Sequence, residues 1–525
     1  MTKLNRSLIL SCSMLALASC GGDEIVSPGT GGDIIINNPG TPAPSPSPSP
    51  TPTQTVSAAD DCPNIAGLTD DGIISGPTGS YRKCILPNQI DQSIALPYIE
   101  GVLYALDGRV DVGSDGGRFA DASDGLSDTN VTLTIDPGVV VYAETGRSFL
   151  YVNRGNTIQA VGTASRPIVF TSRQNVVGTA TASSEGQWGG VIISGRAPVT
   201  DCNAGNTGAA VDGTGECERQ IEGESDPALY GGNVESDDSG RMSYVQIRYS
   251  GVVLSEGSEL QSLTTGGTGY NTQFDHIMSY NSSDDGMEFF GGFVNMKYAV
   301  VVGAGDDAID SDVGAATNIQ YAILVQRPGV GNSFNEIDSN SNRDATPRQD
   351  FRLSNATMVA SSAFGDDTAI YARGGTDYWL ANSVLVSPQE TCLRVRHAET
   401  VQETGMDERG PVRFDSVVMQ CGSPIYLGED GVSENQIQTL FSANGNNDDM
   451  FTPSLMSVFI NGANENGVDA YDTSNLDTMF FDFDAVDYIG AVRDASDDWY
   501  TGWTCNSSTV TFGDNIGDCA SLPVY

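Results

Sequence analysis

The feature that most restricts the fold is a set of acidic residues that returns at a fixed distance. In "NSSDDGMEFFGGFVNMKYAVVVGAGDDAIDSDVG", Asn281 to Gly314, the residues Asp284, Asp285 and Glu288 recur as Asp306, Asp307 and Asp310, each 22 residues on, while Ile277 and Met278 map onto Ala299 and Val300. That spacing is one coil of a solenoid, in which each repeat buries its apolar face against the next. A further coil is expected at an offset of 28, with Asn335, Ile337, Asp338 and Asn340 in register with Asp307, Ile309, Asp310 and Asp312, and the six extra residues looped out around "RPGVGNS". Upstream, "MSYVQIRYS" (Met242 to Ser250) superposes on "FDHIMSYNS" (Phe274 to Ser282), and downstream "FGDDTAIYA" repeats the pair as Asp366-Asp367.

Between Val131 and Val386 the chain consists of short β-rich runs such as "NVTLTI", "PIVFTS", "GGVIIS" and "YWLANSVLVS", punctuated by Gly, Asn, Asp and Ser and without helical periodicity. The expected fold is all-β: a right-handed parallel β-helix over 131–434, with capping segments at 61–130 and 435–525 that cover the open ends. A β-sandwich is the competing all-β reading, but it does not account for fixed internal offsets of the acid pattern.

The N-terminus carries Lys3 and Arg6, an apolar stretch from Leu8 to Leu17, and Leu17-Ala18-Ser19-Cys20. This pattern is similar to a bacterial lipoprotein signal over 1–19, which implies acylation of Cys20 with diacylglycerol and palmitate-type chains and a lipid-anchored place in the outer membrane or at the cell surface. The apolar stretch is shorter than the 18 or so residues of a membrane span. Residues 20–60 include prolines alternating from Pro42 to Pro52, an extended spacer. Eight cysteines then remain, in sequence-local couples: Cys62/Cys84, Cys202/Cys217, Cys392/Cys421 and Cys505/Cys519. Read as disulfides they suit an exported protein, and the lack of any C-x-x-C argues against zinc. A net charge of -43 repels phosphate backbones, so nucleic acid is excluded as a main partner, while divalent cations are favoured.

Stacked acids need compensation. Parallel strands lie about 4.8 Å apart, and two carboxylates at about 5 Å repel by about 1 kcal/mol in water and about 3 kcal/mol at an effective dielectric near 20. Solvent exposure, a raised pKa or a bound cation would each relieve this. Calcium takes six to eight oxygens, and its candidate ligands are Asp284, Asp285, Asp306, Asp307 and Asp312. Glu288, Asp310 and Asp338 are expected to form an outward ladder that contacts a ligand. The bland alternative makes the Asp residues turn formers that satisfy backbone amides. A catalytic reading uses Asp285, Asp307 and Asp310 as the carboxylates of a polysaccharide lyase or glycoside hydrolase, since neighbouring coils supply separations of about 5–9.5 Å. A lyase also needs a cationic base, for which Lys297, Arg327, Arg343, Arg348 and Arg373 are candidates.

Other motifs weigh less. Gly303-x-Gly305-x-x-Ala308 lacks the following helix of a dinucleotide site. His276 occupies the place of Tyr244 in the repeat, and with His397 it reads as structural. Trp188, Trp379, Trp499 and Trp503, with Tyr280, Phe289 and Phe290, could offer sugar-stacking platforms, although the two tail tryptophans suit capping better.

Tyr488-Ile489-Gly490-Ala491, then Asp498-Trp499-Tyr500-Thr501-Gly502-Trp503-Thr504, together with the Asn281–Asp312 stretch, resembles a family of exported bacterial right-handed β-helix lipoproteins, largely uncharacterised. The resemblance implies fold and place, and supplies no catalytic residues; the third coil departs from the pattern at Phe334-Asn335. The expected function is a calcium-stabilised surface module that binds glycan. The alternatives are a secreted polysaccharide lyase or hydrolase, and an accessory lipoprotein partnering an outer-membrane transporter protein.

Overall fold

The computed structural model describes residues 55–525, apart from 203–213, 223–226, 256–257, 340–342, 344, 361, 363–367 and 515–516. The signal segment, Cys20, most of the linker, Asn340 and the Asp366-Asp367 pair lie outside the described residues. Among those described, no helix is long and apolar enough to cross a membrane.

Among the described residues 25 strands join into one sheet, by parallel pairing between successive coils at every step except the antiparallel first strand. The strand Gln273–Tyr280 pairs with Met287–Val302 so that Ile277 meets Ala299 and Met278 meets Val300, and Gly240–Arg248 pairs with Gln273–Tyr280 so that Met242 meets Phe274. Both repeats read from the sequence are therefore true coil neighbours. Alternation along each strand sends every second side chain inward. Val301, Leu324, Met358, Leu385 and Met419 succeed one another through the interior, each directly above the last, and all are buried in one core cluster. Burying each such side chain stabilises by roughly 1.5–3 kcal/mol. The core is thus a column whose length grows with coil number, as in a parallel β-helix.

The third coil corrects the expected register. Ile309 pairs with Asn335, Asp310 with Glu336 and Ser311 with Ile337, so the offset is 26 and not 28. Asn335 takes an inward slot, fully buried, where its Nδ2 donates to the Phe334 carbonyl at 2.7 Å and the Tyr378 hydroxyl donates to its Oδ1 at 3.2 Å. A hydrogen-bonded asparagine standing in for an aliphatic residue disguised the frame.

The bend of each coil changes along the column. Early on, Thr157–Val161 and Ile168–Ser172 are separate strands, both pairing with Gly240–Arg248. In Gly240–Arg248 and the coils beyond it the corner is one residue with positive φ: Tyr244, His276, Tyr298, Tyr321, Asn355, Asn382 and Ser416, at φ between 47° and 66°. The neighbouring pairs put these residues in register. Such a conformation is uncommon for non-glycine residues and tolerated best by Asn; here it turns each side chain away from the core.

Both ends differ from expectation. The coils begin before Val131, since Gly79–Ile85 already pairs in parallel with Val102–Leu106, and that strand with Val140–Ala143. The antiparallel strand Thr69–Gly76 covers the first edge. At the other end the helix Glu434–Ser442, started by a capping box between Ser433 and Gln436, lays Ile437 and Phe441 on the last coil. The rest of the tail is no end cap. It runs along the side of the column, back toward its start. The Asp469 carbonyl accepts from Ser416 and the Tyr471 amide donates to Asn382. Asp484 exchanges hydrogen bonds with Gln320, Trp503 receives Gln246, the Cys519 carbonyl accepts from Arg248, and the Tyr525 hydroxyl reaches the Pro167 carbonyl at 3.1 Å. The strap is held by corner residues such as Ser416 and Asn382 and by outward side chains near the corner such as Gln320 and Gln246.

The four disulfides join Cys62 to Cys84, Cys202 to Cys217, Cys392 to Cys421 and Cys505 to Cys519, as expected.

Candidate functional site

Each of the two described acid pairs forms the turn that leads into a strand. Asp284-Asp285 precedes Met287–Val302 and Asp306-Asp307 precedes Ile309–Asp312. Gly286 follows the first pair because a Cβ there would lie 2.4 Å from Val301 and 2.6 Å from the Ala308 carbonyl.

The second acid of each pair has a structural task. Asp285 Oδ1 accepts the backbone amide of Asp307 at 2.8 Å, and Asp307 Oδ1 accepts the amide of Ser333 at 2.7 Å and its hydroxyl. Each carboxylate therefore caps an amide of the next coil, and at Ser333 the relay ends. The turn-former reading accounts for this part of the pattern.

It does not account for the remainder. Asp284, Asp285 and Asp306 each offer a carboxylate oxygen within 4.8 Å of the others, and so do Asp285, Glu288 and Asp310. Asp285 belongs to both groups. Asp285 and Glu288 are each 5% exposed, and Glu288 Oε2 and Asp310 Oδ1 are buried without a hydrogen-bond partner. Burial, followed by the mutual repulsion of the cluster, pushes Asp285, Glu288 and Asp310 well above the ordinary carboxylate range. Burial and then the charges of Asp306, Glu259 and Glu222 push Asp284 up to about 8.

The acids were expected along the exterior, and the structure corrects this. They do point outward from the strands, but Asp285 and Glu288 are buried, and a folded-back segment packs beside them. The segment after Val191–Ser194 folds back over this face, where Val199, Cys217, Ile221, Ala228 and Tyr230 pack against Phe290 and Val313 in one apolar cluster, with Tyr230 stacked on Phe290 at 5.9 Å. Glu222 from this segment, and Glu259 from the hairpin strand Ser258–Glu259, bring two further acids beside the coils. Neither carries a periodic signal in the sequence.

The remaining candidates separate from the cluster. Asp307 is occupied by Ser333. Asp312 accepts the amide of Val313 at 2.5 Å; burial raises its pKa, and the charges of Arg219 and Arg373 oppose that rise. Asp338 stands outside the ladder expected with Glu288 and Asp310, because Glu336 holds that position. Its carboxylate meets Arg373 at 3.0 Å and the Ser339 amide at 2.7 Å. The candidate bases are all engaged: Lys297 with Asp484 at 2.6 Å, Arg327 with Glu185, Arg343 with Glu399 at 3.5 Å, Arg348 with Asp377 and Glu408 at 2.8 and 2.7 Å, and Arg373 with Glu336 and Asp338.

The aromatic candidates are mostly interior. Trp188, Trp503 and Phe289 are fully buried, and Tyr280 and Phe290 nearly so, which removes them as sugar platforms. Trp379 lies under the Arg413 guanidinium at 4.1 Å, and Trp499 donates to the Ala491 carbonyl at 3.0 Å. His276 stacks between Tyr244 and Tyr298 at 4.0 and 4.4 Å. His397 accepts the Gly374 amide at 3.0 Å. Both histidines serve packing and hydrogen bonding.

A set of convergent carboxylate oxygens could hold a hard divalent ion such as calcium, which takes oxygen ligands in flexible number. Asp284, Asp285, Asp306, Glu288 and Asp310 would hold it. No curated protein and no solved structure matches the chain. Residues 123–457 match the family model described as the pectate-lyase-like β-helix domain. With that match spanning more than half of a sequence whose strands wind as parallel coils around one apolar column, the chain belongs to the pectate-lyase-like β-helix family.

Proposed function

We propose that the protein is a calcium-stabilised β-helix that binds carbohydrate, carried at the cell surface by a lipid on Cys20. The observation that carries the cation half is the pair of buried, unpartnered oxygens, Glu288 Oε2 and Asp310 Oδ1, in a group of carboxylates converging within 4.8 Å. A cation there would offset repulsion that burial otherwise relieves by protonation. The carbohydrate half is supported by the family. A binding role is favoured over a lyase because a lyase needs a side chain beside the acids that can accept a proton, and Arg373, which lies on this face, is held in its charged form by ion pairs with Glu336 and Asp338.

Calorimetry with calcium, together with thermal melts of the same protein with and without chelator, tests this. A ligand present at 100 times its Kd and bound only to the native state adds about 2.7 kcal/mol, so calcium should raise the Tm by several degrees, and Asp285→Asn should abolish both heat and shift. An unchanged melt removes the cation. Appearance of unsaturated uronate products from an acidic polysaccharide, lost in Asp285→Asn, would establish the lyase instead.

A further inference from the structure

On a different side of the same coils, an open groove of about 590 Å³ runs beside the corner residues, between the strands Gln273–Tyr280 and Met287–Val302 and the strap at Phe480-Phe481. Its walls are aromatic and only partly covered. Tyr270 lies flat on Phe480 at 4.0 Å and 6°, with Phe293 edge-on to both at 5.9 and 5.4 Å. The Tyr244–His276–Tyr298 stack lines the groove, and Phe481 adds a further ring across it. None of the rings Tyr270, Phe293, Phe480 and Phe481 is buried, although a strap with 0%-exposed Trp503 shows that this tail can bury aromatics where packing calls for it.

Polar groups interleave with the rings, and they are held in place. Arg241 pairs with Asp275 at 2.9 Å, Lys297 with Asp484 at 2.6 Å, and Gln273 is exposed at the rim. Fixed charged donors and acceptors between flat apolar faces match a pyranose ring, which presents C–H groups on its faces and hydroxyls around its edge. An open groove of this size suits an internal stretch of a chain better than an enclosed small molecule.

Charge decides the class of sugar. Each cation in the groove is neutralised by its own aspartate, and the whole chain carries -43. An anionic polysaccharide would be repelled during approach and find no unpaired cation on arrival. We infer that the groove lined by Tyr270, Phe480, Phe481 and the Tyr244–His276–Tyr298 stack binds neutral oligosaccharides. This assignment rests on the carbohydrate-binding reading and gives it a location apart from the acid cluster.

The test is titration of the full chain, calcium present, with neutral gluco-, manno- and xylo-oligosaccharides and with oligouronates, read by calorimetry. The variants are Tyr270→Ala and Phe481→Ala, whose rings are partly exposed, with circular dichroism and melting used to verify that each is folded. The expected result is binding of a neutral oligosaccharide that weakens roughly tenfold in either variant, with the calcium titration unchanged. Oligouronate binding that is indifferent to both substitutions would overturn the groove while leaving a carbohydrate-binding protein. The absence of heat with every saccharide would overturn both.

Discussion

The same coils present two outward faces that meet opposite problems. At the corner, register stacks aromatic rings: Tyr244, His276, Tyr298 and Tyr321 follow one another at 4.0, 4.4 and 5.0 Å with nearly parallel planes. At the acid turns, the same register stacks carboxylates. A solenoid amplifies whatever chemistry stands at a position, because each coil repeats it about 4.8 Å further on. For rings the amplification is favourable, worth about 0.5–1.5 kcal/mol per contact beyond area burial, and it offsets the cost of holding Tyr and His at positive φ. For carboxylates it is unfavourable: Asp285 and Asp307 are turned into amide caps, and Asp285 still converges with Asp284, Asp306, Glu288 and Asp310.

The largest expected effect comes from breaking the aromatic face. Trp503 is fully buried, meets His276 edge-on at 5.4 Å and donates to the Trp499 carbonyl at 2.8 Å. Trp503→Ala should cost about 3–5 kcal/mol, and limited proteolysis should then cut the strap between Trp499 and Tyr525 before any coil is cut. Coils and strap lost together would mean that the tail is integral to the column and not laid upon it.

A smaller effect should follow at the acid face, with reversed sign. In metal-free protein Glu288→Gln removes one member of a repelling group and supplies the unpartnered site with a neutral side chain. The variant should melt at or above the wild type, by up to about 1–3 kcal/mol for a pair near 5 Å, and its gain on adding calcium should shrink. A marked loss of stability without metal would show that the Glu288 charge is already compensated.

The smallest effect sharpens the contrast, because a third acid pair carries its own cation. Asp377 and Glu408, 5% and 1% exposed, both bind Arg348. Burial and a hydrogen bond with Glu408 push Asp377 up to about 8 against the pull of Arg348. Its folded pKa is raised, so its contribution is full at acid pH and is lost as pH rises from about 4 through 8. Melts between pH 5 and 9 should fall more steeply in the wild type than in Asp377→Asn; equal slopes would remove this pair from the account.

Much of the column was legible. The 22-residue spacing of Asp284-Asp285 and Asp306-Asp307, the Met242/Phe274 alignment and the four local cysteine couples all rest on short-range order, and each holds in the structure. The third coil reads two residues out of frame because buried Asn335 resembles a turn residue, so the sequence alone places Asp338 where Glu336 stands. Of the expected calcium ligands, Asp284, Asp285 and Asp306 converge, while Asp307 and Asp312 answer to backbone amides. The early coils before Val131 were missed, since strands as short as Gln89–Ile90 and Ile94–Leu96 carry too little alternation to read.

The amino-acid sequence by itself determined the coil, its period and the stacking of like residues on like, because these follow from a repeat paired with its own neighbour. Only the tertiary structure decided that a folded-back segment packs beside the acids and that the tail runs along the side of the column. Those contacts join residues as far apart as Gln246 and Trp503, or Val199 and Phe290. They depend on the shape of a surface that exists only after the coils have formed, and no local spacing encodes it.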